Sequence, residues 1–160
     1  MNFLHVTVLA SIVSALAAPD ALAGQLCNDL RKILALTEQG YKPLQGGMDF
    51  FLDQHKGTVM PPPFTECYTK TSAGSSQYSC MSRLPDDESQ AKLALGKLAQ
   101  EVESCLGSDL VKRTGTQPDR RSYRNVNTGE SISISLSRHA PQDSDKSARY
   151  TLRLRISSVE

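Results

Sequence analysis

Four cysteines, at positions 27, 67, 80 and 105, most constrain what this chain of 160 residues can fold into. They follow an N-terminal segment in which a short apolar run precedes Ala21-Leu22-Ala23, the small-x-small pattern that a signal peptidase cleaves. The run is shorter than the roughly 20 apolar residues of a transmembrane helix. We therefore expect residues 1–23 to be a signal peptide and residues 24–160 to form one exported domain, in the periplasm or outside the cell.

The end of the signal peptide has one alternative. Ala15-Leu16-Ala17 offers an earlier small-x-small pattern, so the cleavage site stays open between the two. A lipid anchor at Cys27 is not expected, because Leu26 occupies the position where lipoprotein signals carry a small residue.

An even number of cysteines after an export signal favours two disulfides over metal ligation or catalysis. The sequence also lacks the C-x-x-C pair of redox sites and zinc knuckles. Four cysteines permit three connectivities, and spacing alone does not choose among them.

A predicted hairpin favours one of these connectivities. Small, turn-prone residues 71–76 join two stretches that contain tyrosine and threonine. A turn centred between Ala73 and Gly74 places Cys67 directly opposite Cys80, at a separation that a disulfide can span. Cys27 is then left to pair with Cys105.

Two helices are predicted from apolar residues spaced three or four apart. The first covers Gln25 to Gln39 and ends at Gly40, a residue that suits a helix C-terminus. The second begins after Pro85 with acidic residues, which favour the positive end of a helix, and ends at Gly107. Its apolar stripe consists of Ala91, Leu95, Leu98, Val102 and Cys105.

A long connection, residues 40–64, lies between the first helix and the hairpin and is rich in glycine and proline. A wholly free loop of this length is uncommon in a compact domain. We therefore expect its apolar cluster to hold it against the core, as a short strand or one helical turn. The cluster consists of Met48, Phe50, Phe51 and Leu52.

Alternating apolar and polar residues predict strands at 131–137 and 150–156, with a weaker strand at 121–126. Residues 139–147 are expected to form a solvated loop. The chain is therefore predicted to be an α+β domain in which two helices pack on an antiparallel sheet, in the order α-β-β-α-β-β-β, with two disulfides.

Several short motifs occur in order along the chain: Pro63-Phe64-Thr65-Glu66-Cys67, Tyr78-Ser79-Cys80, and Val102-Glu103-Ser104-Cys105-Leu106-Gly107 at the end of a helix. With the signal peptide and the terminal strands, they resemble a group of small exported bacterial proteins. The resemblance spans most of residues 24–157. It implies bacterial export, and it brings no functional residue to this chain.

The formal net charge of +1 excludes the strong overall field that is typical of nucleic-acid or polybasic membrane proteins. Although the total charge is nearly zero, the charges are unevenly distributed along the chain. Residues 106–160 carry ten Lys and Arg against six Asp and Glu, whereas residues 24–105 carry eight against ten. The basic surplus therefore lies in the predicted terminal strands.

The polar face of the last strand is the best candidate binding surface. Arg149, Arg153 and Arg155 alternate with its apolar residues, and Ser133 and Ser135 are expected beside them. Arg124 extends the row, together with Arg120 and Arg121. Arginine offers paired donors to carboxylates, so the row suits an acidic protein surface or an anionic polymer.

A competing interpretation is that these residues only keep the outer face of an antiparallel sheet soluble. The row lacks interleaved aromatic residues, so nucleic acid is not an expected partner. We predict a non-catalytic exported protein that binds another macromolecule through this face, without a cofactor or a metal.

The alternative is a small secreted hydrolase, most plausibly a nuclease. His55 and His139 are the only histidines of residues 24–160, and histidine suits acid–base chemistry near neutral pH. Lys56 or Arg138 would stabilise a phosphate, and Asp53 would orient His55. A metal site formed by His55 with Asp49, Asp53 and Glu66 is less favoured, because these residues have no spacing that fixes ligand geometry.

Overall fold

The computed structural model describes residues 19–72, 74–113, 117–139 and 150–158. Helix α1, Pro19–Leu34, begins earlier and ends earlier than predicted. A 3-10 turn, Thr37–Gln39, follows and stops at Gly40, whose φ of 60° is the left-handed conformation expected there. The predicted signal peptide falls largely on residues 1–18, outside the described residues, and residues 19–23 form the start of α1.

The described residues form one antiparallel sheet of eight strands and a second helix. The strands lie in the order β1-β2-β3-β4-β8-β7-β6-β5. In chain order, the elements are β1 (Gln45–Asp49), β2 (Gln54–Gly57), β3 (Glu66–Ser72), β4 (Ser75–Leu84), α2 (Glu88–Leu106), β5 (Leu110–Lys112), β6 (Arg120–Asn125), β7 (Ser131–Arg138) and β8 (Tyr150–Ser157).

The core lies between the helices and one face of the sheet. Ile132 and Ile134 of β7 and Leu154 of β8 are buried on that face because apolar and polar residues alternate along each strand. Helix α2 packs on β7 and β8 with its predicted stripe, and α1 packs against α2. Burying one such aliphatic side chain contributes about 1.5–3 kcal/mol.

The two predicted disulfides are confirmed. Cys67 faces Cys80 across the β3–β4 hairpin, with Cα atoms 4.0 Å apart, in the register that a turn at residues 73–74 requires. Cys27 of α1 is bonded to Cys105 of α2, with Cα atoms 5.3 Å apart. One bridge therefore joins neighbouring strands, and the other holds the two helices together.

The predicted α+β class is confirmed, but the predicted set of strands is incomplete. Strand β5 was not expected, and the long connection forms two strands, β1 and β2, where a short strand or one helical turn was expected, so the sheet has eight strands. The sequences of β1 and β2, Gln-Gly-Gly-Met-Asp and Gln-His-Lys-Gly, have no apolar alternation to mark them. They form because the edge of β3 offers unpaired backbone groups for another strand.

The prediction that the apolar cluster of the long connection packs into the core is wrong. Phe50 and Phe51 lie at the tip of the β1–β2 hairpin, with 83% and 101% of their surface exposed. The Asp49 side chain shapes this tip, because its Oδ1 accepts hydrogen bonds from the backbone N–H groups of Phe51 and Leu52, at 3.1 and 3.3 Å.

Other residues hold the connection to the core. Val59 and Phe64 are buried, and the Tyr78 hydroxyl of β4 hydrogen-bonds to the backbone of Val59. Gly57 lies so close to β3 that an added Cβ would be 2.9 Å from the Cβ of Cys67.

Among the described residues, no helix combines the length and the apolar character of a membrane-spanning segment.

Candidate functional site

The face of the sheet that points away from α2, called the outer face below, carries Arg153 and Arg155 of β8. Their neighbours Leu152 and Leu154 point to the core, so alternation places both arginines on the opposite side. The two Cα atoms are separated by about 7 Å along the strand, so the two side chains leave the same face two residues apart.

Strand register surrounds these arginines with small side chains. Arg155 lies between Ser79 of β4 and Ser133 of β7. Arg153 lies between Met81 of β4 and Ser135 of β7. The predicted neighbours Ser133 and Ser135 therefore do lie beside the arginine row.

A third arginine belongs to the same group. Arg120 of β6 pairs with Ser135, which in turn pairs with Arg153. Two strand spacings separate Arg120 from Arg153, about 10 Å, a distance that two arginine side chains bridge. Arg120, Arg153 and Arg155 are called the arginine cluster below.

The electrostatics of the cluster are those of like charges held together. Burial lowers the pKa of Arg155, and the neighbouring charges of Arg153 and Arg120 lower it further. The Nε atoms of Arg153 and Arg155 are buried without a hydrogen-bond partner. Within the described part of the chain, no ion pair involves any of the three guanidinium groups.

Further cations lie around the cluster on the outer face. Lys56 of β2 pairs with Tyr68, which pairs with Ser79 in the row of Arg155. Arg124 of β6 pairs with Ser131, one row further along β7.

The outer face also carries an acidic residue. Glu66 lies in the row of Arg153 and accepts a hydrogen bond from the Tyr68 hydroxyl at 3.4 Å. The face is therefore basic but not uniformly so.

The structure places the predicted binding residues differently. Arg153, Arg155 and Arg124 share the outer face, whereas Arg149 lies outside the described residues.

Arg121 does not extend the row, because it pairs with the core residue Ile134 and therefore points to the other side. Its guanidinium donates to the carbonyl oxygens of Gln117, Pro118 and Arg120 at 3.4, 3.1 and 3.1 Å.

Sequence reasoning missed two neighbours of the cluster, Ser79 and Met81. Both belong to β4, and they reach the cluster only because β8 pairs with β4. No local pattern signals that pairing, since the two strands are about 70 residues apart in the chain.

The two histidines of the alternative function are not brought together. His55 lies on β2, where its Nδ1 is 3.3 Å from the carbonyl oxygen of Gly46. His139 follows β7 directly and is exposed. Three strands lie between β2 and β7, so the histidines are separated by at least about 19 Å across the sheet. Lys56, next to His55, points to the opposite face.

The residues weighed as metal ligands, Asp49, Asp53, His55 and Glu66, do not converge either. In the portion of the chain that the structure describes, no group of three or more His, Cys, Asp or Glu side chains is arranged to hold a metal ion. Comparison with protein-family models, curated proteins and solved structures finds no match to this chain. The arginine cluster is the best-defined candidate site on this sheet face.

Proposed function

We propose that this protein is an exported, non-catalytic binding protein whose outer face binds an acidic surface of another protein. One observation carries the proposal: Arg153 and Arg155 lie side by side, with buried Nε atoms and no carboxylate partner among the described residues. Carboxylates that bind between the two arginines reduce the electrostatic repulsion between their positive charges. Arginine also binds carboxylates with two parallel hydrogen bonds.

The composition of the outer face favours a protein over a uniform polyanion. Glu66 lies in the same row as Arg153 and would repel a polymer that carries negative charge at every repeat. Met81 lies directly beside Arg153 and offers an apolar contact. A protein surface, which mixes acidic and apolar groups, complements this arrangement.

Export is supported by the two disulfides and the signal-like N-terminal sequence. Disulfides persist in oxidising compartments and are rare in the cytosol. The bonded pairs, Cys27–Cys105 and Cys67–Cys80, include all four cysteines of the chain. A location in the periplasm or outside the cell is therefore part of the proposal.

Binding can be tested with a peptide that matches the spacing of the arginines. We would use an extended peptide with glutamate at alternate positions, because residues i and i+2 of a strand have the same separation as Arg153 and Arg155. The peptide in which glutamine replaces glutamate is the uncharged control, and dextran sulfate is the polyanion. Fluorescence anisotropy gives the dissociation constant of each.

The proposal predicts that the glutamate peptide binds and that the glutamine peptide does not. Arg153→Ser/Arg155→Ser should weaken binding at least about tenfold, since two ionic contacts are lost. Lys32→Ser/Lys97→Ser removes the same charge from the helices and should leave binding within about twofold. Equal losses in both variants, or tight binding of dextran sulfate alone, would overturn the assignment to a protein partner.

A further inference from the structure

A second candidate site lies on the helix side of the sheet, at the end where α1 stops. A depression of about 740 Å³ is formed there by the 3-10 turn after α1, the start of β4, the end of β8 and the β6–β7 turn. Its volume is in the range of small-molecule sites. It lies on the opposite side of the sheet from the arginine cluster, so the two sites are separate.

Glu130 is the unusual residue of this depression. Glu130 lines the depression although only 3% of the residue's surface is exposed, and its Oε2 is buried without a hydrogen-bond partner. Buried carboxylates in proteins are normally paired or hydrogen-bonded. An unpartnered acceptor at the wall of a cavity therefore points to a donor that arrives with a ligand.

The backbone holds Glu130 firmly in this position. Its carbonyl oxygen accepts a hydrogen bond from the Asn125 N–H at 2.9 Å. The Asn125 side chain in turn accepts from the N–H groups of Asn127 and Thr128, at 2.9 and 3.3 Å. Gly129 completes the turn with a φ of 80°, a conformation that glycine adopts without strain. The backbone of Glu130 is thus fixed before any ligand binds, which lowers the ordering cost of binding.

The charge around the depression selects a cationic group. Two acidic residues, Glu38 and Glu130, line the depression. Among its described lining residues, Lys42 is the single cationic one. Burial raises the pKa of the Glu130 carboxyl group, and the charge of Glu38 raises it further. A cationic donor at Oε2 reverses the cost of burial, because it stabilises the ionised carboxylate.

The rest of the lining selects a hydroxylated ligand. It consists largely of hydroxyl and amide side chains, among them Gln39, Ser75 and Thr128, and none of the described lining residues is aromatic. Such groups exchange hydrogen bonds with ligand hydroxyls, whereas they offer no surface for stacking a flat ring. A flat aromatic ligand therefore does not fit this lining.

We propose that this depression binds a small hydroxylated amine, of the amino-sugar class, whose ammonium group donates a hydrogen bond to Oε2 of Glu130. Lining hydroxyl and amide groups such as those of Gln39 and Thr128 would bind the hydroxyl groups of the ligand. The site requires no contribution from the outer face.

Calorimetry of the oxidised full chain tests this with glucosamine and N-acetylglucosamine, which differ in whether the amine is charged. Glucosamine should bind, and N-acetylglucosamine should bind at least about tenfold more weakly. Equal binding of the two, or no binding of glucosamine, would overturn the proposal. This comparison needs no variant, so it stands even where a substitution impairs folding.

Glu130→Gln keeps the shape of the side chain and removes its charge. It should weaken glucosamine binding at least about tenfold, whereas Glu101→Gln, at a partly exposed residue of α2, should leave it unchanged. In amide NMR spectra, glucosamine should shift the signals of Gly40, Ser76 and Thr128. Wild-type affinity in Glu130→Gln, or shifts confined to other residues, would overturn the assignment of the site.

Discussion

Tyr78 of β4 and Val59 of the connection that precedes β3 share two hydrogen bonds: the Tyr78 hydroxyl donates to the Val59 carbonyl oxygen at 2.5 Å and accepts from the Val59 N–H at 3.2 Å. Both residues are buried. The side chain of a central strand therefore satisfies the backbone of a segment that has no strand partner at that point. This contact, together with the buried side chains of Val59 and Phe64, holds the long connection to the sheet.

We expect Tyr78→Phe to lower the free energy of unfolding by about 1–3 kcal/mol, because it leaves the buried N–H and carbonyl groups of Val59 without partners. Urea denaturation monitored by circular dichroism measures the change. Tyr68→Phe, at a partly exposed tyrosine of the outer face whose hydroxyl makes an exposed hydrogen bond, is the matched control and should change stability by less than about 0.5 kcal/mol. Equal effects of the two substitutions would contradict the role of this contact.

Stability should fall at alkaline pH because two buried tyrosines resist ionisation. Burial raises the pKa of Tyr78 to about 12, an effect that the hydrogen bond to Val59 partly offsets. Burial likewise raises the pKa of Tyr41 to about 12. The unfolded chain ionises its tyrosines at their ordinary pKa of 10.0, so deprotonation favours unfolding above that pH.

The stability that these two groups provide is fully present below pH 10 and is lost as the pH rises towards 12. The loss is at most about 3 kcal/mol for each tyrosine. Denaturant titrations across this pH range, combined with ultraviolet absorbance of tyrosinate, measure it. A flat stability profile between these values would contradict the raised pKa values.

The two disulfides should contribute unequally. Cys27 and Cys105 are 78 residues apart in sequence, and Cys67 and Cys80 are 13 apart. In the chain-entropy model, closing the longer loop stabilises the fold by about 4.5 kcal/mol, and closing the shorter loop stabilises it by about 3 kcal/mol. We therefore expect Cys27→Ala/Cys105→Ala to lower the free energy of unfolding more than Cys67→Ala/Cys80→Ala. Calorimetric melting of both double variants checks this order, and the reverse order would contradict it.

The exposed tip of the β1–β2 hairpin should be dispensable for folding. Phe50→Ala/Phe51→Ala is expected to change the free energy of unfolding by less than about 0.5 kcal/mol, because neither ring packs against the core. Phe64→Ala, at a buried phenylalanine of the same connection, should cost about 3–5 kcal/mol. A large loss in the Phe50/Phe51 variant would mean that the tip packs against the domain.

The separation of the histidines leads to a prediction about catalysis. We expect the oxidised protein to show no RNA cleavage that depends on both His55 and His139, because the sheet keeps them at least about 19 Å apart. Hydrolysis of a fluorescent RNA by the wild type, His55→Ala and His139→Ala measures this. Activity that is lost in each variant would favour the hydrolase instead.

Local features of the sequence predicted a large part of the fold. The Cys67–Cys80 pairing follows from the position of one turn, and the stripe of α2 follows from residue spacing. The strands of Ile132 and Leu154 follow from alternation. These features depend on residues that are close in the chain, so a single sequence reveals them.

The candidate sites depended on pairings between distant parts of the chain. Arg153 and Arg155 were recognised from their own strand, but the approach of Arg120 and the burial of both Nε atoms required the pairing of β8 with β7 and β4. Glu130 has no neighbouring sequence pattern that marks it as a binding residue. It became a candidate ligand group only because the ends of α1 and β8 meet beside it.

The sequence by itself determined the Cys67–Cys80 pairing, the helices and the alternating faces of the main strands, because each is encoded by spacing within a short segment. Only the tertiary structure decided that β8 lies between β4 and β7, that three further strands extend the sheet, and that Phe50 and Phe51 face solvent. The physical reason is that strand pairing uses backbone groups, which every residue carries, so it leaves little trace in the side-chain pattern.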